Sequence, residues 1–170
     1  RLLPAPAAFA QNWPDHNIRL VVPFPAGGPT DIIARVVGQA MTDALGQPVV
    51  IDNRGGAGGV TGTDQVAKAA PDGHTLALSS AGALSISPAL QRMPYNSTKD
   101  LAPVTLVAKV PELLVVPAAS PAKTLEDFIA AAKARPGAFN FASTGPGGMP
   151  HLAAELLKAT AKIDMVHVPY

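Results

Sequence analysis

The residues of this 170-residue chain best suited to chemistry are hydroxyls and glycines placed just ahead of helix starts. Phe24, Ala26, Gly27, Gly28, Thr30 and Asp31 make one such run. Ser143, Thr144 and Gly145 open another, and His151 follows in the first turn of the next helix. Glycine lets backbone approach a second molecule closely. The first N–H groups of a helix lack internal acceptors and lie at its positive end. A strand, a glycine turn and a helix N-terminus together therefore make an anion site. On this reading Gly27 and Gly28 expose N–H groups to a carboxylate, and the loop uses a positive φ. Ser143 and Thr144 donate from the second run, and Ser79 and Ser80 do so from the end of a third strand. Asp31 sits poorly beside an anion, so it is read as a helix cap or as the partner of a ligand ammonium. Thr30 is read as a contact or a cap. His151 orients its loop or lies on the surface, and the positive helix end favours its neutral form.

Other chemistries find less support. Ser143 with His151 suggests hydrolysis, but no Gly-x-Ser-x-Gly elbow is present. The glycines at 55–62 fit neither the phosphate-loop nor the dinucleotide pattern, and they are read as a turn that allows close packing. His16, His74, His151 and His167 lack metal-ligand spacing. There are no cysteines, which excludes disulfides and thiolate metal sites. No metal or cofactor is expected. A net charge of +1 and 5% aromatic residues argue against nucleic acid. A hydrophobic share of 48% supports a packed core, yet no run reaches membrane-span length.

These residues need elements to place them. Strands are predicted at 18–22, 48–51 and 75–78, with helices at 32–45 and 60–69 between them. A short helix at 84–90 and a loop at 93–100 follow. Strands are then expected at 103–108 and 113–116. A helix capped by Thr124 runs to Ala134, and a strand at 139–142, a helix at 151–160 and a strand at 164–168 complete the chain. The alternation implies parallel sheets with right-handed crossovers. The two glycine loops echo each other in layout without being a sequence repeat. They suggest two α/β lobes, residues 11–102 and 103–170, each presenting a helix N-terminus to a shared cleft. Residues 1–10, ending in Ala8-Phe9-Ala10, are read as the tail of a secretory signal.

Eight ordered blocks carry a family resemblance. They are Val21 through Asp31 with Ala34-Arg35, Leu45-Gly46-Gln47-Pro48-Val49-Val50, Asn53 through Gly59, Ala70 through Leu76, Asp100 through Val104, Ser143-Thr144-Gly145, His151 through Leu156, and His167-Val168-Pro169-Tyr170. Together they make the chain resemble the substrate-binding proteins of tripartite tricarboxylate transporters, the Bordetella uptake gene receptors. His74 departs from the tyrosine usual in that family. The resemblance implies a two-lobed, periplasmic-binding-protein-like (type II) α/β fold, incomplete here because family members continue past Tyr170. It implies a non-enzymatic periplasmic receptor, monomeric at full length, that holds a small carboxylate partly through waters and serves integral-membrane transporter subunits. The carboxylate class covers di- and tricarboxylates, acidic amino acids and aromatic acids. A chain ending at Tyr170 is expected to bind such a ligand poorly. A ligand-sensing module for a membrane signalling partner and a hydrolase-like enzyme using Ser143 and His151 are the alternatives.

Overall fold

The computed structural model describes residues 12–170. The reading of residues 1–10 as a signal remnant lies outside them. Strand β1 (Ile18–Val22) is followed by α1 (Pro29–Leu45), β2 (Val49–Asn53), α2 (Val60–Ala67) and β3 (Thr75–Ala77). All pairings are parallel, and the strand order is β2-β1-β3. The middle strand is covered on both faces, which suits its continuous apolar sequence. Ile18, Val21 and Val22 are fully buried. Leu20 and Val22 form a core with Ala34 of α1, joined by Phe24, Val49, Ile51, Leu76 and Leu78. Pro29 occupies the first turn of α1, where its missing N–H costs nothing. Gly46 ends the helix at φ 70° and donates its N–H to the Thr42 carbonyl at 3.0 Å.

A second unit follows α3 (Ser87–Leu90) and a long connection. It comprises α4 (Leu125–Ala134), β4 (Phe139–Ser143), α5 (Met149–Ala161) and β5 (Met165–Pro169). β4 and β5 are parallel, with Phe141 opposite His167. Phe128, Ala132, Ile163 and Met165 form its core against Phe139, Phe141 and Leu157. The Thr124 cap forms as read. Its hydroxyl accepts the Asp127 N–H at 3.1 Å, and the Asp127 carboxylate accepts the Thr124 N–H at 3.1 Å.

The strands expected at 103–108 and 113–116 are a correction. Residues 101–117 form no regular element and pair with no strand among the described residues. Val104, Leu106, Leu113 and Val115 are each more than 70% exposed. Their β-branched, apolar sequence has the local preference, but a strand needs a partner for its backbone groups. The helix expected at 84–90 is also altered. It starts as a π-turn, Gly82–Ile86, before α3 begins. Among the described residues no helix is long and apolar enough to cross a membrane.

Candidate functional site

The two glycine loops are built alike at atomic level. Each leaves a strand, β1 or β4, and enters a helix, α1 or α5. Gly27 and Gly147 both take positive φ, 81° and 78°. The next residues, Gly28 and Gly148, are the helix N-caps, with φ near −75° and extended ψ in both. Gly28 N–H reaches the Pro25 carbonyl at 3.4 Å, and Gly148 N–H reaches the Gly145 carbonyl at 3.3 Å. The Gly28 carbonyl accepts from Ile32, and the Gly148 carbonyl from Leu152, each at 3.1 Å. Gly27 N–H donates to Asp31 Oδ2 at 2.8 Å, and Gly147 N–H donates to His151 Nδ1 at 3.2 Å. Two sequences that share little beyond paired glycines thus close the same turn, with an acid as lock in one and an imidazole in the other.

This geometry corrects several assignments. The positive φ belongs to Gly27, and Gly28 is in extended backbone open to any residue. Neither Gly27 nor Gly28 holds its N–H out for a ligand, because both are bonded within the loop. At the two helix starts, the N–H groups left without an acceptor among the described residues are those of Thr30 and Asp31 in α1 and of Met149 and His151 in α5. They are the first-turn donors that a helix always leaves over.

The Asp31 side chain is buried and does not cap α1. Besides Gly27 it accepts from Arg35 Nε at 2.9 Å and from Asn53 Nδ2 at 3.0 Å. Asn53 also holds the Phe24 carbonyl at 3.2 Å. The Arg35 guanidinium, followed by the Gly27 N–H, lowers the Asp31 carboxyl to about 2, against burial that would raise it. Asp31 therefore fastens its loop to β2 as a permanent anion already matched by a cation.

Ser143 is likewise turned inward. Its buried hydroxyl accepts the Gly145 N–H at 3.2 Å and lies 2.6 Å from His167 Nε2. The hydroxyl is paired with His167, not with His151 as the hydrolytic alternative supposed. His167 stacks on Phe141 at 4.9 Å and on His151 at 4.2 Å between ring centres. Burial, and then the neighbouring His151, hold the His167 imidazole below its ordinary range. The neutral imidazole suits the short Ser143 contact. Ser79 Oγ is taken by Thr63 Oγ1 at 2.8 Å, and Ser80 is half-buried. Thr144 is exposed, as is Ala26, whereas Gly145 is buried.

The turn Ala57–Gly59 explains why so many glycines sit between residues 55 and 62. It lies between the two loops. A methyl group on Gly59 would come within 3.2 Å of the Phe24 ring, and one on Gly58 within 3.5 Å of the Pro146 carbonyl. A methyl group on Gly62 would sit 2.7 Å from the Arg54 carbonyl and 2.8 Å from Pro23 Cα. Close packing is thus the reason for these glycines, as the sequence implied. The second loop also rests on Ser87, which a methyl group on Gly147 would approach to 3.0 Å.

An open cavity of about 530 Å³ lies elsewhere, lined by residues that include Leu84, Pro88, Arg92 and Tyr95. It contains none of the loop residues and no convergent helix-end donors, so the loops remain the candidate site. Sequence reasoning missed Arg35, Asn53 and His167 as loop partners. The spacing of Asp31 and Arg35, one helical turn apart, was a readable signal. The approach of Asn53 and His167 depends on strand register.

Known proteins resemble this arrangement. The sequence profile described as "Tripartite tricarboxylate transporter family receptor" matches residues 33–170. BugT of Bordetella pertussis is 46% identical over 168 residues, 95% of this chain and 50% of that protein. MatC from Rhodopseudomonas palustris, solved with bound malate, superposes with a TM-score of 0.86 at 37% identity, covering 93% of this chain and 54% of that one. An R. palustris protein solved with adipate gives 0.88 at 35% identity, covering 93% and 53%. The chain spans about half the length of the curated relatives it matches.

Proposed function

The chain belongs to the tripartite tricarboxylate transporter receptor family, and from that premise we propose that it captures a small carboxylate between its two matched loops. The observation that carries this reading is the pair of equivalent strand–turn–helix starts, each with two unbonded first-turn N–H groups. The loops share the Ala57–Gly59 turn as a common wall. Helix N-termini attract anions, and the relatives solved with malate and adipate support a dicarboxylate.

On this reading the donors are Thr30 and Asp31 N–H, the Thr30, Ser80 and Thr144 hydroxyls, and Met149 and His151 N–H. Asp31 and Ser143 side chains act as positioning groups. Residues 12–102 belong to one lobe and 103–170 to the other. The protein works in the periplasm as a monomer and hands its ligand to integral-membrane subunits. The reading involves no covalent step.

The test is calorimetric titration of malate and adipate into this chain, and into a chimera in which residues 12–170 replace the matching half of BugT. Saturable binding by the chimera, weakened about tenfold or more by Thr30→Pro, is the expected result. Binding unaffected by Thr30→Pro, or turnover of an ester substrate, overturns the reading.

A further inference from the structure

We propose that Asp15, His16 and His74 form a binding site for a borderline divalent metal ion, of which Zn²⁺ is the reference case. The site lies away from the carboxylate loops. His74 immediately precedes β3, and its carbonyl accepts the Arg19 N–H of β1 at 2.7 Å. It therefore stands at the N-terminal edge of the parallel sheet, whereas the first loop leaves the opposite edge after Val22.

The inference starts from a buried imidazole with nothing to bond. His74 is more than nine-tenths buried, yet neither ring nitrogen has a hydrogen-bond partner among the described residues. Nε2 is 3.2 Å from Asp15 Oδ1 but out of line for a hydrogen bond, and Nδ1, 3.6 Å from Asp72 Oδ1, is beyond hydrogen-bond reach. Buried polar atoms are nearly always satisfied, and an orphan pair calls for a missing partner such as an ion. His16 adds the third group. Its Nδ1 lies 2.6 Å from the same Asp15 oxygen.

One donor atom from each of the three residues lies within 4.8 Å of the others. A tetrahedral zinc ion with bonds near 2.0–2.1 Å needs donors about 3.3 Å apart; the Asp15–His74 pair is already at 3.2 Å, whereas the Asp15–His16 pair, at 2.6 Å, must open. Two imidazoles and one carboxylate suit Zn²⁺, Ni²⁺ and Cu²⁺ better than Mg²⁺ or Ca²⁺. Asp72 stands behind His74 in the place of a carboxylate that orients a metal-bound imidazole through its second nitrogen.

One rearrangement is required. The His16 and His74 rings stack at 3.7 Å and 10°, and a metal must lie in the plane of each ring it binds. His16 is largely exposed and its only hydrogen bond among the described residues is to Asp15, so it can swing out of the stack, whereas buried His74 stays. Water completes the coordination.

The test is titration of this chain with ZnCl₂ in a buffer that does not chelate metal, followed by calorimetry and by imidazole ¹H–¹⁵N NMR. The expected result is one saturable site with nitrogen shifts confined to His16 and His74. His74→Gln should weaken it at least tenfold. Asp15→Asn and His16→Gln lie on the surface, where His16 meets the interior only through the His74 ring, and each should weaken it similarly. Wild-type affinity in the two surface variants, shifts confined to His151 and His167, or no saturable binding overturns the proposal.

Discussion

Replacing His151 separates the bond it accepts from the stack it makes. His151 Nδ1 takes the Gly147 N–H at 3.2 Å, and Gly147 is buried. His151→Phe keeps a flat ring against His167 but removes the acceptor. A buried N–H left unsatisfied costs about 1–3 kcal/mol, so this variant should lose that much unfolding free energy. His151→Asn places a carbonyl oxygen near the position of Nδ1 and loses the ring. Its deficit should be only the aromatic contact, about 0.5–1.5 kcal/mol. His151→Ala loses both and should be the least stable of the three. Urea unfolding at neutral pH, with the slopes compared for constancy, measures all of them. A Phe variant as stable as the wild type would refute the claim that this nitrogen closes the second loop. So would an Asn variant whose loss clearly exceeds both that of the Phe variant and about 1.5 kcal/mol.

Gly62→Ala should destabilise the chain by about 1–3 kcal/mol despite its better helix propensity, because the added methyl meets backbone at both Pro23 and Arg54; a stabilised variant in urea unfolding would contradict this packing. Thr124→Ala should cost about 1 kcal/mol through loss of the α4 capping box, read as a lower urea midpoint. The folded protein resists protonating His167, so as pH falls through the ordinary histidine value of 6.5 the unfolded chain binds more protons and stability falls. The slope should be shallower in His167→Gln, and equal slopes would refute the assignment. Asp31 acts in a lower window: its stabilising charge is intact above its ordinary 3.8 and is lost as pH falls through about 2. Asp31→Asn should abolish that part of the acid transition in a pH titration followed by circular dichroism.

The strands of the first sheet were readable because β1 is buried on both faces and spells this out as Ile-Arg-Leu-Val-Val. The helix starts were readable from Pro29 and from Thr124 with Asp127, whose effects are local. Residues 103–116 defeated the same logic. Their apolar pattern records a preference, and only a neighbouring strand turns preference into a ladder. The candidate site was legible as loops but not as atoms. Which N–H groups remain free depends on where Asp31, Asn53 and His167 reach after folding, and nothing in the local sequence states that. The Asp15, His16 and His74 cluster was invisible for a related reason: one crossover pair of helices separates its members along the chain.

The uncovered run between residues 101 and 117 has a bearing on self-association. Exposed apolar strands are templates for stacking into cross-β fibrils, which usually takes six or seven residues free of proline and low in charge. Here Pro103, Pro111 and Pro117, with Lys109 and Glu112, cut the run into windows of five residues at 104–108 and four at 113–116. Each falls short of a zipper segment, and the residues that cut it serve as gatekeepers. The punctuation of the segment thus denies it an endless series of copies of itself.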